Sequence, residues 1–474
     1  MTMNFQDTIC AASTAQGIGA LGVIRVSGKD SFSIVNSVFK GTDLTKAESH
    51  TVHYGFIISS DTQHQTSNTP HPTPNTPSEV IDEVMVAVFR APKTFTAEDL
   101  VEISCHGSPY IQQQILEVLI KYGARMAEPG EFTQRAFLNG RIDLSQAEAV
   151  ADLISAENKA SHRIALNQMR GGISTELKEL REELINFTSL IELELDFSDE
   201  DVEFADRKEL DDLIQKIKSK IEKLISTFEY GNAVKNGVPV AIIGKPNAGK
   251  STLLNALLNE ERAIVSDIAG TTRDTIEETI TISGITFRFI DTAGIRETTD
   301  TIEAIGVEKA KEKVAQAKVV IHLYEDDIEI LKQLEELLQD KIVFNLLSKI
   351  DKEGHNRELD LETLKAEHPN YHHFGLSVKK NINLDRLKNE LVESVRSGVD
   401  ENTVIITNIR HREALLNALE ALQNVETGMK TGLPGDLLAF HLRDTLRHIG
   451  SITGQIDVDK DILGTIFGKF CIGK

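Results

Sequence analysis

Hydrophobic and polar positions change rhythm along this chain. Up to about residue 125 the apolar residues come in short or alternating runs: "GVIRVSG" (22–28), "VHYGFIIS" (52–59), "VMVAVFR" (84–90) and "LVEIS" (100–104). Such runs predict strands. "IQQQILEVLIKYGA" (111–124) changes to helical spacing with a glycine near its end, which predicts a helix among them. From about 130 to 232 the pattern is helical, as in "LSQAEAVADLISAENKASHRIALNQM" and "ISTELKELREELINFTSLIELELDF". Leu210, Leu213, Ile214, Ile217, Ile221, Leu224 and Ile225 share one helical face, with Lys216, Lys218, Lys220 and Lys223 as a solvated one. The acidic run "SDEDVEF" (198–204) suits a helix start, where carboxylates meet the positive end of the dipole. Residues 237–397 alternate strand and helix, the mark of a doubly wound sheet. After 397 helices return, in "RHREALLNALEALQNVETGMK" and "PGDLLAFHLRDTLRHIG".

The pattern implies a multidomain chain: an α+β domain over residues 1–125, a discontinuous all-α domain (126–236 and 398–474), and an α/β domain over 237–397 inserted into it. "DTQHQTSNTPHPTPNTPSE" (61–79) holds four of the eleven prolines. It is too polar to bury a core and predicts a loop, with His64 and His71 solvated. "GIGALG" has the spacing of a dinucleotide fingerprint, but strand-like "VIRV" follows where a helix must open. It reads as a turn into a strand.

Charge and cysteine content narrow the function classes. A net charge of −22 over 474 residues excludes a protein that coats nucleic acid non-specifically. An RNA substrate would be held by a few placed residues or with a partner's help. No apolar run approaches the ~20 residues that span a bilayer, and the N-terminus lacks the pattern of a signal peptide. Both point to a cytoplasmic protein that does not engage membranes. Cys10, Cys105 and Cys471 supply neither a disulfide framework nor metal-ligand spacing. Cys10 and Cys105 read as buried small hydrophobes. Cys471 lies in "FCIGK", where Gly473 and Lys474 exclude a prenylation box.

The chemistry sits in "VPVAIIGKPNAGKSTLLNALLN", a strand, a Gly-rich loop and a helix. In Gly244-x-x-x-x-Gly249-Lys250-Ser251 the backbone N–H groups along Asn247, Ala248, Gly249 and Thr252 would wrap phosphates. Lys250 would reach the terminal phosphates, and Ser251 would ligate Mg²⁺. "GTTRD" (270–274) supplies Thr272 as a second Mg²⁺ ligand. "DTAG" supplies Asp291 for the Mg²⁺ water shell and, past Thr292 and Ala293, the Gly294 N–H for the γ-phosphate. "SKID" supplies Ser348, Lys349 and Asp351, whose carboxylate can accept from guanine N1–H and the exocyclic amine; Ser377 fits the last base-contact loop. There are two departures from a Ras-like G domain. Ser348 stands at a usual Asn. Ile295, which cannot hydrogen-bond, stands where a Gln orients the attacking water. Arg296, Glu297 and Glu303 lie close by.

The chain resembles the MnmE (TrmE) family of tRNA-modifying GTPases. The resemblance is carried by "RVSG", "FTAEDLVEISCHG", "PGEFTQRAFLNGRIDLSQAEAVADLI", "GKPNAGKSTLLNAL", "SDIAGTTRD", "DTAGIRE" and "FCIGK". It implies a Ras-like P-loop G domain inserted in a helical domain, after a folate-binding-like N-terminal domain that forms the homodimer. It implies that Arg25, Glu102, Arg141 and Lys474 contact a tetrahydrofolate one-carbon derivative, Arg141 standing where other members can have Lys. It implies K⁺ on Asn247 and on the loop Ser266, Asp267, Ile268, Ala269, Gly270 and Thr271, with Ser266, Ile268 and Thr271 among the ligands. K⁺ then takes the place of an arginine finger and promotes pairing of the G domains. Glu303 matches the residue that orients water. Cys471 would reach the folate pocket as a nucleophilic thiol. The implied activity adds an aminomethyl-type group to C5 of the wobble uridine of certain tRNAs, with an FAD-dependent partner. A ribosome-assembly GTPase is the alternative, but "GMKTG" and "GKFCIG" have the wrong spacing for the RNA clamp such proteins carry. A membrane-remodelling GTPase lacks its anchor here.

Overall fold

The structure, a computed structural model, describes residues 7–59, 79–196, 207–260, 278–290, 303–325, 328–352, 358–396, 403–455, 470 and 473. In it the alternating runs of the first hundred residues become one sheet. Its strands are β1 (Ile9–Ala12), β2 (Leu21–Ser27), β3 (Phe39–Lys40), β4 (Thr51–Ser59), β5 (Glu79–Phe89), β6 (Leu100–His106) and β7 (Arg125–Met126). The sheet order is β3-β4-β5-β6-β2-β1-β7. All pairs are antiparallel except β1 with β7. Alternation has its usual cause: Val84, Val86 and Val88 of β5 are buried while Glu83 before them and Met85 between them face out. The buried face packs with helices α1 (Ser31–Val38) and α2 (Pro109–Lys121) through Ile24, Val26, Val35, Ile103, Ile115 and Leu119. The "GIGALG" stretch enters β2 with no helix after it. Cys10 and Cys105 are buried, and burial pushes their thiols up to about 12 and about 11.

Two compact units divide the chain: Met1–Ala151 with Met169–Ser174 and Ile449–Lys474, and Asp152–Gln168 with Thr175–His448. Helix α3 (Glu131–Leu138) belongs to the first, and α4 (Leu144–Ile154) begins there. A buried guanidinium fastens α3 to the sheet. Arg135 is 1% exposed and bonds Asp7 Oδ1 at 2.6 Å, Glu131 Oε1 at 3.0 Å and Glu98 Oε2 at 3.3 Å. Arg125 joins Asp7 and Glu131 at 2.6 Å each. Burial pushes the Asp7 and Glu131 carboxyls up, but their bonds to the two guanidinia outweigh it and hold both below the usual range. Breaking such a network strands buried carboxylates. Arg135→Ala is therefore expected to destabilise the chain by about 3–5 kcal/mol in denaturant unfolding. A loss under about 1 kcal/mol would mean that the carboxylates find water or other partners.

The second unit begins with α5 (Lys159–Met169) and continues through α6 (Gly172–Asp196), α7 (Arg207–Ser226) and α8 (Phe228–Asn236). The stretch 144–169 is two helices rather than one. Asn158 starts α5 afresh: its Oδ1 accepts from the Ser161 N–H at 2.9 Å, and its own N–H donates to Ser161 Oγ at 3.2 Å. On α7 the apolar face is buried as expected, save Ile225, which is half-buried. Lys218 departs from the solvated face, because its side chain is 16% exposed and its ammonium bonds Glu426 at 2.6 Å. The run at 198–204 lies outside the described residues, as does the loop 61–79 except Glu79, which opens β5.

Residues 238–396 form a six-stranded sheet. Its strands are β8 (Val238–Ile243), β9 (Glu278–Ile282), β10 (Ile285–Phe289), β11 (Val319–Tyr324), β12 (Ile342–Ser348) and β13 (His372–Leu376), in the order β13-β12-β11-β8-β10-β9. Only β9 runs antiparallel to its neighbour. The described helices are α9 (Lys250–Glu260), α10 (Glu303–Gln316), α11 (Glu329–Gln333), α12 (Glu335–Leu338), α13 (Glu358–Glu367) and α14 (Leu384–Arg396). Both faces of the central strands are buried: Val240, Ile242 and Ile321 in one cluster, Ala241, Ile243 and Val320 in another. That is why these strands read as continuous apolar runs. Two long helices follow, α15 (Ile409–Thr431), capped by Asn408 and ended by Gly432, and α16 (Gly435–Thr453).

Candidate functional site

Strand β8 ends where the Gly-rich loop begins, and the loop feeds α9. Gly244 has a φ of +143°, and a Cβ there would lie 2.2 Å from the Leu323 carbonyl oxygen of β11. Only glycine fits. Asn247 takes a φ of 63° and Gly249 one of 101°, so the loop curls into the start of α9. Lys250 lies back over the loop, donating to the Gly244 and Lys245 carbonyls at 2.7 Å each. Burial, with repulsion from Lys313, brings its pKa down to about 8. Backbone donors at a helix N-terminus beside an ammonium suit a polyphosphate. Ala248 is buried, and Ser251 and Thr252 occupy the first turn of α9.

A second loop meets the first at the same sheet edge, the carboxyl ends of parallel strands, where open α/β sheets bind ligands. Lys349, just past β12 and itself at a φ of 58°, donates to the Asn247 carbonyl at 2.6 Å. Asp351 accepts from Ser377 Oγ at 2.6 Å, and that bond leads the causes holding its carboxyl below the usual range. Ser377, the residue after β13, is 1% exposed. The loop pair thus brings Asn247, Lys349, Asp351 and Ser377 together. Ser348 ends β12 with its hydroxyl buried and without a hydrogen-bond partner among the described residues. Sequence reasoning missed Glu325, which follows β11 and binds both Lys349 and Lys352, the latter at 2.7 Å. No sequence signal marks it.

In the first unit, Arg25 of β2 stands opposite Glu102 of β6. Its Nε and Nη2 donate to Glu102 Oε1 at 3.0 and 2.8 Å. The Arg25 guanidinium lies 5.1 Å from the Phe95 ring centroid and 5.6 Å from that of Phe132, and Arg141 lies 5.7 Å from Phe95. Arg141 also donates to the Phe95 carbonyl at 3.0 Å. The Gly473 carbonyl accepts from Ser13 Oγ at 3.2 Å and from Arg25 at 3.5 Å. Phe470 packs with Leu144 and Ala147. Arg25, Glu102 and Arg141 are thereby gathered with a residue two positions past Cys471. Phe95, Phe132 and Ser13 complete the cluster; Phe95 and Phe132 lie within the quoted motifs, but nothing there assigned them this place, and Ser13 lies in none.

The remaining expected residues lie outside the described ones: Ser266, Asp267, Ile268, Ala269, Gly270, Thr271, Thr272, Asp291, Thr292, Ala293, Gly294, Cys471 and Lys474. Glu303 opens α10 by its backbone.

Comparisons with known proteins agree over the whole length. Residues 8–141 match the family described as GTP-binding protein TrmE N-terminus, and residues 144–471 match the MnmE helical domain. A tRNA modification GTPase MnmE from Flavobacterium johnsoniae is 51% identical, covering 99% of both chains. One from Cytophaga hutchinsonii is 52% identical, covering 99% of this chain and 98% of its own. Among solved structures, the G domain of the T. maritima FeoB iron transporter is 27% identical over 33% of this chain and 97% of its own, with a TM-score of 0.24.

Proposed function

The chain belongs to the MnmE (TrmE) family of tRNA modification GTPases, and on that premise we propose that it is a K⁺-activated, dimerisation-dependent GTPase that modifies C5 of the wobble uridine of certain tRNAs with a folate one-carbon unit. An FAD-dependent partner protein completes the reaction. The observation that carries the nucleotide part is the joining of two loops at one sheet edge, Lys349 of the second donating to Asn247 of the first. The Gly-rich loop wraps the phosphates of GTP, and Lys250 moves from the loop carbonyls to the terminal phosphates. Asp351, steadied by Ser377, accepts from the guanine N1–H and amine. Adenine has no matching donor pair.

The residues present fit the groups this reading needs. Ser251 in the first turn of α9, with Thr272, would hold Mg²⁺, which would offset the negative charge of the phosphates. Asn247, in the left-handed conformation, would offer its side-chain oxygen to K⁺ together with Ser266, Ile268 and Thr271; the ion supplies positive charge where negative charge develops. Arg25 and Arg141 around Phe95, with Glu102 beside them, fit a flat heterocycle bearing both donors and carboxylates. Together with Lys474 they would hold tetrahydrofolate, the source of the one-carbon unit. The outward face of the N-terminal sheet carries exposed Val52, Tyr54 and Met85, Tyr54 opposite Met85, a surface suited to a second copy. No helix among the described residues is long and apolar enough to cross a membrane.

The test is hydrolysis in two salts. GTP turnover by the full chain is expected to rise steeply when Na⁺ is replaced by K⁺, and Asn247→Ala to abolish the difference. Equal rates in both salts would overturn K⁺ activation.

A further inference from the structure

Ser348 ends β12 6% exposed, with its hydroxyl unpartnered among the described residues. At the usual Asn position it offers no amide to brace the base-reading loop. The loop nonetheless holds Lys349, a residue with a Cβ, at a φ of 58°, a conformation that needs outside support. Lys349 reaches the Asn247 carbonyl. The same ammonium meets the Glu325 carboxylate, which also accepts from Lys352 at 2.7 Å. Lys349 and Lys352 flank Asp351 in the chain. Glu325 thus clasps the loop on both sides of Asp351, from the end of the neighbouring strand.

We propose that Glu325 is a positioning residue for guanine recognition, which takes over the bracing an amide at position 348 would give and keeps the two lysines from pairing with Asp351. This rests on the nucleotide reading above. Two ammonium groups freed on either side of Asp351 would be drawn to its carboxylate. The acceptors meant for the base would then be taken. Burial raises the Glu325 pKa, but its bonds to Lys349 and Lys352 win and hold it below the usual carboxylate range, so it is ionised at neutral pH. Glu325 touches no nucleotide atom in this account. It acts through Lys349 and Lys352.

The readout is a ratio. IDP lacks the exocyclic amine of GDP, so the ratio of their affinities reports the second hydrogen bond to Asp351. Full-length protein is titrated with each nucleotide in competition with a fluorescent GDP analogue. Glu325→Gln is expected to weaken GDP about tenfold and IDP about twofold, the size of one charged hydrogen bond lost from a discriminating site. Adding Ser348→Asn to Glu325→Gln is expected to restore most of the ratio. Should Glu325→Gln not fold, Glu325→Asp serves: one methylene shorter, it cannot reach both lysines, and the ratio is expected to fall part way. An unchanged ratio in a folded variant, or equal weakening of both nucleotides with no rescue by Ser348→Asn, overturns the inference. Failure of the unaltered chain to bind GDP overturns the nucleotide reading beneath it.

Discussion

Replacing Glu303 by Ala is expected to cut GTP turnover about 10²-fold or more while leaving GTP affinity nearly unchanged. The expectation starts from Ile295, which follows "DTAG" and has no atom to orient water. Some other polar group has to hold the attacking water in line. Glu303 is eight residues further on and opens α10, so its backbone is set by a helix rather than by a loop. A residue that positions water contributes in the transition state and not in the ground state, which separates turnover from binding. Single-turnover hydrolysis beside equilibrium binding of a non-hydrolysable GTP analogue measures the two separately. Matched losses in both would instead make Glu303 a structural residue of the helix start.

Cys471→Ser is expected to abolish tRNA modification and to leave GTP hydrolysis intact. Its neighbours argue for the place: Phe470 packs with Leu144 and Ala147, and the Gly473 carbonyl accepts from Ser13 and Arg25. On the proposed function, a thiol two residues before Gly473 would work beside Arg25, whose guanidinium meets the Gly473 carbonyl. A hydroxyl is a far poorer nucleophile at neutral pH, because so little of it is ionised. The side chains differ by one atom and leave both anchors in place, so the fold is expected to survive. Mass spectrometry of tRNA nucleosides from cells complemented with each variant gives the answer. Wild-type levels of the modified uridine with Cys471→Ser would remove the thiol from the chemistry and leave the tail as a cover.

What was legible in the chain was what is local. The Gly-rich loop has fixed spacing because a strand, a tight turn and a helix N-terminus follow one another without interruption, and Gly244 fits only as glycine. The four longer N-terminal strands showed their alternation. β1 did not: "ICAA" is too short and too uniformly apolar to show any period, and Ile9, Cys10 and Ala11 are all buried. The break before α5 was hidden because apolar spacing continues across it, while the stop is made by the Asn158 and Ser161 cap. Lys218 looked like its solvated neighbours until Glu426, 208 residues later, met it. Glu325 was invisible for the same reason. Its contact with Lys349 exists because β11 and β12 run parallel in register, with Tyr324 opposite Leu347, and nothing near Glu325 in the chain announces that.

The ion network around Arg135 has a consequence for the order of events on the ribosome. The sheet is not finished when its longest strands have been made: β1, near the start of the chain, sits between β2 and β7, and β7 is residues 125–126. Arg135 then closes on Asp7, 128 residues earlier, and on Glu98. Loop closure over such a separation must precede any reward from the contact. A nascent chain halted between codons 127 and 134 therefore carries β1 and its parallel partner but not the guanidinium that ties Asp7, Glu98 and Glu131 together. The N-terminal sheet gains this tie only as α3 emerges, so translation past α3, rather than past the last long strand, is the step that locks the sheet.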